Sequence, residues 1–223
     1  MGNQKYNTSI LSESIPARMA DAVRYSWKLF ISHYATGKYE ISKEASFQLQ
    51  LARLIATVGE LHCFSNKERA QVDRELDIEE RQPIDIVFKI FSEDAVSMVP
   101  IELKFKTKQQ GAQDIGSMDI FRDIFRLENI KKTHGHCANA FFFMIADYSG
   151  YYNKPTGGGL RSVFDTSQGA KILRETVYKY LDNKTGANYY STFSKKYGDM
   201  IFENENEFDW FVHEEKYYLK IEI

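Results

Sequence analysis

The sequence lacks the features that would place the chain in a membrane or in an oxidising compartment. Its longest apolar run, AFFFMIA at 140–146, is far shorter than the roughly 20 residues that a membrane-spanning helix needs. It has only two cysteines, Cys63 and Cys137, and no stretch typical of a signal peptide, which favours a reducing cytoplasm. Tyr6 stands where a myristoylation signal has serine or threonine, so no lipid anchor is expected.

The sequence also lacks an excess of charge of either sign. Its 29 lysine and arginine residues nearly balance 31 aspartates and glutamates, which gives a formal net charge of −2. No global positive field therefore draws the chain to nucleic acid or to acidic membranes, and any site for a polyanion must be local. With 223 residues, 43% of them hydrophobic, the chain is long enough to bury a substantial core.

Two helices are predicted in the first third of the chain. The first spans 15–36, with Ser14 as its N-cap. The second begins after Ser42 and carries an apolar stripe of Phe47, Leu51, Leu54, Val58 and Leu61. At about 100° per residue, Glu44 lies about 40° from the middle of that stripe and Glu60 lies nearly opposite. Glu44 is expected to point toward the core side, although it is equally suited to complementing the helix dipole.

The segment PIDIVFKIFSEDAVSMVPIELKFKTK predicts two strands joined by the turn SEDA, and the charged stretch before it is compatible with another short strand around 71–76. Because side chains alternate along a strand, each of the two strands has one apolar face and one mixed face. The mixed faces carry Asp85, Val87 and Lys89 on the first strand and Glu102, Lys104 and Lys106 on the second.

The turn determines which residues of the two strands lie opposite each other. If its four residues form the loop, Phe91 pairs with Val96, and Asp85 lies directly across from Glu102. A bulge at Pro100 would shift this register, so the opposition is a hypothesis.

Two carboxylates on directly opposite residues of neighbouring strands destabilise the fold. At a separation of about 5 Å and an effective dielectric of about 20, they repel by about 3 kcal/mol, a large fraction of a domain's net stability. A shared proton, a lysine such as Lys104, or a divalent cation could offset that cost. A hard cation such as Mg²⁺, held by one or two carboxylates with water and substrate phosphate, is the most natural third party.

At this point the residues show a resemblance. PID at 83–85, then sixteen residues, then ELK at 102–104 on the next strand, preceded by a helix that carries Glu44, resembles the PD-(D/E)XK nuclease superfamily. The resemblance implies an α/β protein with a restriction-endonuclease-like core, in which a central mixed β-sheet is flanked by helices.

The similarity covers a core of about 42–146 within a single nuclease-like domain of 1–223. The helix 15–36 and a C-terminal helix plus hairpin within 147–223 are additions to that core. The run CANAFFFMIAD is expected to be a buried central strand. The segments 168–183 and 209–223 are predicted to be the C-terminal helix and the terminal hairpin.

The resemblance also implies a role for each site residue. Asp85, Glu102, the backbone carbonyl of Leu103 and the additional helix carboxylate Glu44 would be ligands of Mg²⁺, for which Mn²⁺ should substitute. Lys104 would position or activate the attacking water. Phosphodiester hydrolysis needs an activated water and stabilisation of charge on the phosphate, which a bound metal and an ammonium group provide. A zinc site at THGHC is a weaker alternative, because the spacing of a zinc motif is missing.

Basic residues after the motif are candidates for nucleic-acid binding: Lys106, Lys108, Arg122 and Arg126. Asp119 and Asp123 each precede one of the arginines by three, so the alternative is a helix face of ordinary salt bridges in solvent.

The expected function is a Mg²⁺-dependent endonuclease that acts on DNA in restriction, defence or repair, with RNA not excluded. Cutting of both strands would predict a homodimer with two-fold symmetry. The rival interpretation is a catalytically silent module on a nuclease-like fold that binds nucleic acid or protein. The intact set of Asp85, Glu102 and Lys104 favours the enzyme.

Overall fold

The computed structural model describes residues 14–78, 83–110, 113–157, 159–179 and 198–223. Its helices are α1 (Ile15–Ala35), α2 (Glu44–Leu61), α3 (Gln113–Thr133) and the short α4 (Leu160–Val163). Its strands are β1 (Arg69–Leu76), β2 (Ile84–Phe91), β3 (Val96–Lys106), β4 (Phe141–Ala146), β5 (Lys171–Ile172), β6 (Val177–Tyr178), β7 (Met200–Ile201), β8 (Asn206–Glu207), β9 (Trp210–His213) and β10 (Lys216–Glu222). Within these ranges, no helix is long and apolar enough to cross a membrane.

The two N-terminal helices form where the sequence predicts them. The Ser14 hydroxyl accepts a hydrogen bond from the Ala17 amide at 3.4 Å and so caps α1, as expected. The apolar stripe of α2 is buried at Phe47, Leu51 and Val58, but Leu61 is 72% exposed at the helix C-terminus. Ile55 and Gly59 are buried instead, because α2 packs against both α1 and the sheet.

The central sheet has six strands in the order β1-β2-β3-β4-β10-β9. Strands β3 and β4 run parallel, and the other neighbours are antiparallel. The protein is therefore α/β with a central mixed sheet flanked by helices, as predicted. Side chains of α1 and α2 pack on one face, around Phe88 and Phe143, whereas those of α3 pack on the other, around Phe142 and Met144.

The predicted register of β2 and β3 is confirmed. Phe91 pairs with Val96, and the same offset continues to the pair of Ile86 and Ile101. Pro100 lies opposite Val87 without shifting the register. Glu102 and Lys104 lie beside Phe142 and Met144 of β4, so they point to the face that α3 covers.

The C-terminal region is only partly as predicted. The hairpin is confirmed as β9 and β10, and β10 also pairs with β4 inside the central sheet. The predicted helix 168–183 is wrong over its described part, since 171–172 and 177–178 are strands and 180–183 lie outside the described residues. Both strands pair with later segments and bury Ile172 and Tyr178 in the core on the α3 side. These distant contacts override local helix propensity.

Candidate active site between diverging strands

The candidate site lies where β2 and β3 separate. Their backbone pairing ends at Ile86 and Ile101, and the next inward-pointing amide, that of Leu103, donates instead to Asp85 Oδ2 at 2.7 Å. A side-chain carboxylate thus takes the place of a strand carbonyl. The carboxyl group of Asp85 is held in the gap between the two strands.

The carboxyl groups of Asp85 and Glu102 act on each other across this gap, as expected for side chains that the register places opposite each other. Burial raises the pKa of Asp85, and burial together with the charges of Asp123 and Asp85 raises the pKa of Glu102 well above its ordinary value. Glu102 is only 3% exposed. The pair is therefore poised to bind a proton or a cation, either of which would offset the cost of burying two carboxylates together.

Glu44 approaches the same gap from α2. It is the first residue of that helix, and its Oε2 accepts a hydrogen bond from the Phe105 amide at 3.0 Å. Burial raises the pKa of Glu44, although the Lys104 ammonium acts in the opposite direction. The direction predicted for Glu44 is confirmed, since it faces the site while Glu60 is exposed.

The amides of Leu103 and Phe105, which alternate along β3, are therefore satisfied by acidic side chains beyond the last backbone pair of β2 and β3. In an antiparallel ladder the amide and carbonyl of one residue point to the same neighbouring strand. The Leu103 carbonyl consequently points to the same side as its amide, toward Asp85. This orientation suits the ligand role that the resemblance implies for Leu103.

Gln48 is a residue of the site that sequence reasoning missed. It lies one turn after Glu44 on α2, is 5% exposed, and donates from Nε2 to the Asp85 carbonyl at 2.7 Å. Gln48 thereby fixes the backbone of β2 at the residue whose carboxyl group enters the gap. Its i+4 spacing from Glu44 was visible in the sequence, but no sequence signal identified its partner.

Lys104 is held as an ammonium by carboxylates around it. Its Nζ lies 2.5 Å from Asp123 Oδ2, and its side chain is 14% exposed. Burial alone would lower the pKa of Lys104, but the charges of Asp123, Glu44 and Glu102 outweigh it and raise the pKa above its ordinary value. The ammonium supplies positive charge and hydrogen-bond donors on the same face as Glu102.

Helix α3 contributes the remaining charges. Arg126 donates to Glu102 Oε1 at 2.9 Å, and Arg122 lies 3.1 Å from Asp119 and 3.3 Å from Asp123. The alternative of salt bridges along the helix is right for one pair, since Asp119 binds Arg122. It fails for Asp123, which pairs with Lys104 and is 3% exposed, because this face of α3 lies against the sheet.

The four predicted nucleic-acid-binding residues do not share one surface environment. Arg122 and Arg126 are directed among the carboxylates of the site, and their side chains are 20% and 12% exposed. Lys106 is half-buried two residues after Lys104, and Lys108 is exposed at the end of β3. Their role toward nucleic acid stays a prediction.

The donors of the gap fit a hard divalent cation in their chemistry. Mg²⁺ prefers oxygen ligands and is held in many sites by one or two carboxylates with water and substrate phosphate. Asp85 and Glu102 supply two carboxylates in contact, a cation would relieve their repulsion, and Leu103 and Glu44 add further oxygens. In the described part of the chain, no group of three or more His, Cys, Asp or Glu side chains is assembled that could hold a metal ion. A site of this kind would therefore need water and substrate oxygens in addition to the donors of the protein.

Comparisons of the chain with models of known protein families, with curated proteins and with solved structures found no significant match. The geometry of the site is accordingly the basis for its functional interpretation.

Proposed function

We propose that this protein is a metal-dependent endonuclease that hydrolyses phosphodiester bonds in DNA, with a restriction-endonuclease-like core of the PD-(D/E)XK type. The observation that carries the proposal is the juxtaposition of the Asp85 and Glu102 carboxyl groups at the gap between β2 and β3, with Lys104 on the same strand face as Glu102. Such an arrangement is costly for the fold and suits a cation.

Each residue has a defined part in this proposal. Asp85, Glu102 and the Leu103 carbonyl, with Glu44 beside them, would hold Mg²⁺ or Mn²⁺, which supplies Lewis acidity and lowers the pKa of a bound water. Lys104 donates hydrogen bonds from its ammonium, orients the water and stabilises the charge that develops on the phosphate. It does not accept a proton, because the carboxylates around it keep it charged.

The proposed substrate is DNA, with RNA not excluded. Lys106 and Lys108 follow the site residues on β3 and would neutralise phosphates next to the scissile bond. The near-neutral net charge of −2 implies that this local charge, rather than a global field, would attract the substrate. We further propose a cytoplasmic role in restriction, defence or repair, with a homodimer for cutting both strands.

A second candidate is a catalytically silent binding module, and one observation favours it. The Lys104 ammonium and the Glu102 carboxylate each have a partner of opposite charge within the protein, Asp123 and Arg126. A network that satisfies itself in this way would also be expected of a purely structural site.

Cleavage of supercoiled plasmid by purified protein separates the two candidates. The proposal predicts nicking or linearisation with Mg²⁺ or Mn²⁺, none with EDTA, and loss of activity in Lys104→Ala and Asp85→Ala. Activity that survives both substitutions contradicts the mechanism. Binding of DNA or RNA without cleavage of either favours the silent module.

A further inference from the structure

Two residues of α3 reach the two reactive side chains of β3. Asp123 and Arg126 are three apart on the helix and so share a face, as Glu102 and Lys104, two apart, share a face of the strand. Asp123 contacts the Lys104 ammonium at 2.5 Å, and Arg126 contacts Glu102 at 2.9 Å. The helix therefore places an anion, Asp123, against the cation of Lys104. It also places a cation, Arg126, against the anion of Glu102.

Both ion pairs are shielded from water. The side chains are 14% and 3% exposed in the pair of Lys104 and Asp123, and 12% and 4% exposed in the pair of Arg126 and Glu102. By contrast, Lys132 near the end of the same helix forms an exposed pair with Glu203, whose side chains are 61% and 56% exposed. Buried pairs are screened little by salt, so they fix the positions of their partners where surface pairs do not.

From these contacts we infer that Asp123 and Arg126 are the positioning residues of the site, a role that rests on the proposed function. Arg126 donates to Oε1 of Glu102 and so fixes the orientation of that carboxylate. Asp123 holds the Lys104 ammonium on the α3 side. The other anions that act on this ammonium are Glu44 and Glu102, which are proposed metal ligands.

The contact between Asp123 and Lys104 has a specific consequence for cation binding. If Asp123 lost its charge, the ammonium of Lys104 would be drawn toward Glu44 and Glu102 and would compete with the metal for their oxygens. Groups that orient metal ligands from outside typically contribute 10–100-fold to metal affinity or activity. Substitution of Asp123 or Arg126 should therefore weaken metal binding more than it changes the binding of DNA.

The test uses the full chain and two charge-removing variants: Asp123→Asn, which keeps the size of the side chain, and Arg126→Gln, which also shortens it. Calorimetric titration with Mn²⁺ alone should show affinity about 10–100-fold weaker than wild type in each. The KM for DNA at saturating metal should change by less than about threefold, because both side chains are buried against Lys104 and Glu102. Lys132→Gln is the matched control on α3 and should equal wild type in both measurements.

Conservative variants keep the test decisive if a charge-removing variant does not fold. Asp123→Glu and Arg126→Lys retain the charges and should bind Mn²⁺ better than the neutral variants but less well than wild type. Unchanged or tighter Mn²⁺ affinity in the folded variants would overturn the inference. A raised KM for DNA with unchanged metal affinity would overturn it too, by making Arg126 a substrate contact.

Failure of the inference can be told from failure of the proposed function. If wild type cleaves DNA and the α3 variants match Lys132→Gln, the function stands and the positioning role falls. If wild type binds Mn²⁺ with the expected dependence on Asp123 and Arg126 but cleaves no nucleic acid, the positioning role stands and the nuclease falls. Wild type that neither binds nor cleaves contradicts both.

Discussion

Asp85 and Glu102 bring two carboxyl groups together where β2 and β3 separate, and burial together with the charges of Asp123 and Asp85 raises the pKa of Glu102. Burial disfavours the charged form of both groups. Proteins retain such costly groups mainly at functional sites, where stability is exchanged for activity. Stability measurements can therefore examine the site independently of any substrate.

Removing one of the two charges should stabilise the metal-free protein. Asp85→Asn keeps an oxygen that can accept from the Leu103 amide, while its new amide can donate to Glu102. We expect the free energy of unfolding at pH 8 with EDTA to rise by about 1–3 kcal/mol, the size of the repulsion between close carboxylates. Urea denaturation measures the free energy of unfolding. Asp94→Asn, at an exposed residue of the turn, is the control. A loss of stability in Asp85→Asn would show that the charge at this position supports the fold.

A second prediction concerns pH and the buried pair of Arg18 and Glu68. Two hydrogen bonds from Arg18, at 2.9 and 2.8 Å, hold the pKa of Glu68 below its ordinary value of 4.5. Since the folded-state pKa is lowered, this group stabilises the protein above about pH 4.5, and the contribution is lost as the pH falls through the folded-state pKa. Glu68→Gln should therefore be less stable than wild type at pH 7 by about 3–5 kcal/mol, with a smaller difference at pH 3.

The matched control for this pair is Glu93→Gln. Glu93 pairs with Lys67 at the surface, where both side chains are more than half exposed. Its substitution should change the unfolding free energy by no more than about 1 kcal/mol at either pH. Equal effects of Glu68→Gln and Glu93→Gln in urea denaturation would contradict the prediction.

The hydrogen bond from Gln48 to the Asp85 carbonyl should matter for both stability and cation binding. Gln48→Ala leaves a buried carbonyl without its donor, at a cost of about 1–3 kcal/mol. It also frees the backbone that carries the Asp85 carboxyl group, so Mn²⁺ affinity should fall as well. Gln50→Ala, two residues further along α2, should change neither quantity appreciably. Full Mn²⁺ affinity in Gln48→Ala would remove Gln48 from the site.

Gly116, in the first turns of α3, should not tolerate a side chain. A Cβ atom there would lie 2.1 Å from the Tyr151 hydroxyl oxygen, and Tyr151 is buried. We expect Gly116→Ala to lower the unfolding free energy by up to about 2 kcal/mol, because overpacking costs about 1–3 kcal/mol and helix propensity returns about 1 kcal/mol. Comparing the melting temperatures of Gly116→Ala and Gly135→Ala isolates the steric effect, because a Cβ atom at Gly135 would have no other atom within 4 Å. Equal melting temperatures would contradict it.

Local rules were sufficient to predict the centre of the site. Side-chain alternation and the four-residue turn gave the register that brings Asp85 to Glu102, because both depend on residues close together in sequence. Helical periodicity likewise gave the direction of Glu44. Each prediction needed only the geometry of one hairpin or one helix.

Distant partners could not be predicted in the same way. Spacing suggested that Asp123 would pair along its own helix, whereas the contact with Lys104 depends on how α3 docks on the sheet. The insertion of β10 beside β4 joins segments about 75 residues apart, and no local pattern encodes it. The strands at 171–172 and 177–178 form only because later segments pair with them.

Calorimetric titration of wild type and Glu102→Gln with Mn²⁺ tests the central claim most directly, namely that Asp85 and Glu102 together hold a divalent cation. The account predicts saturable binding to wild type, and affinity at least tenfold weaker in Glu102→Gln, since the substitution removes one of the two charged ligands. Equal Mn²⁺ affinity in the two proteins, or no binding to wild type, would contradict it.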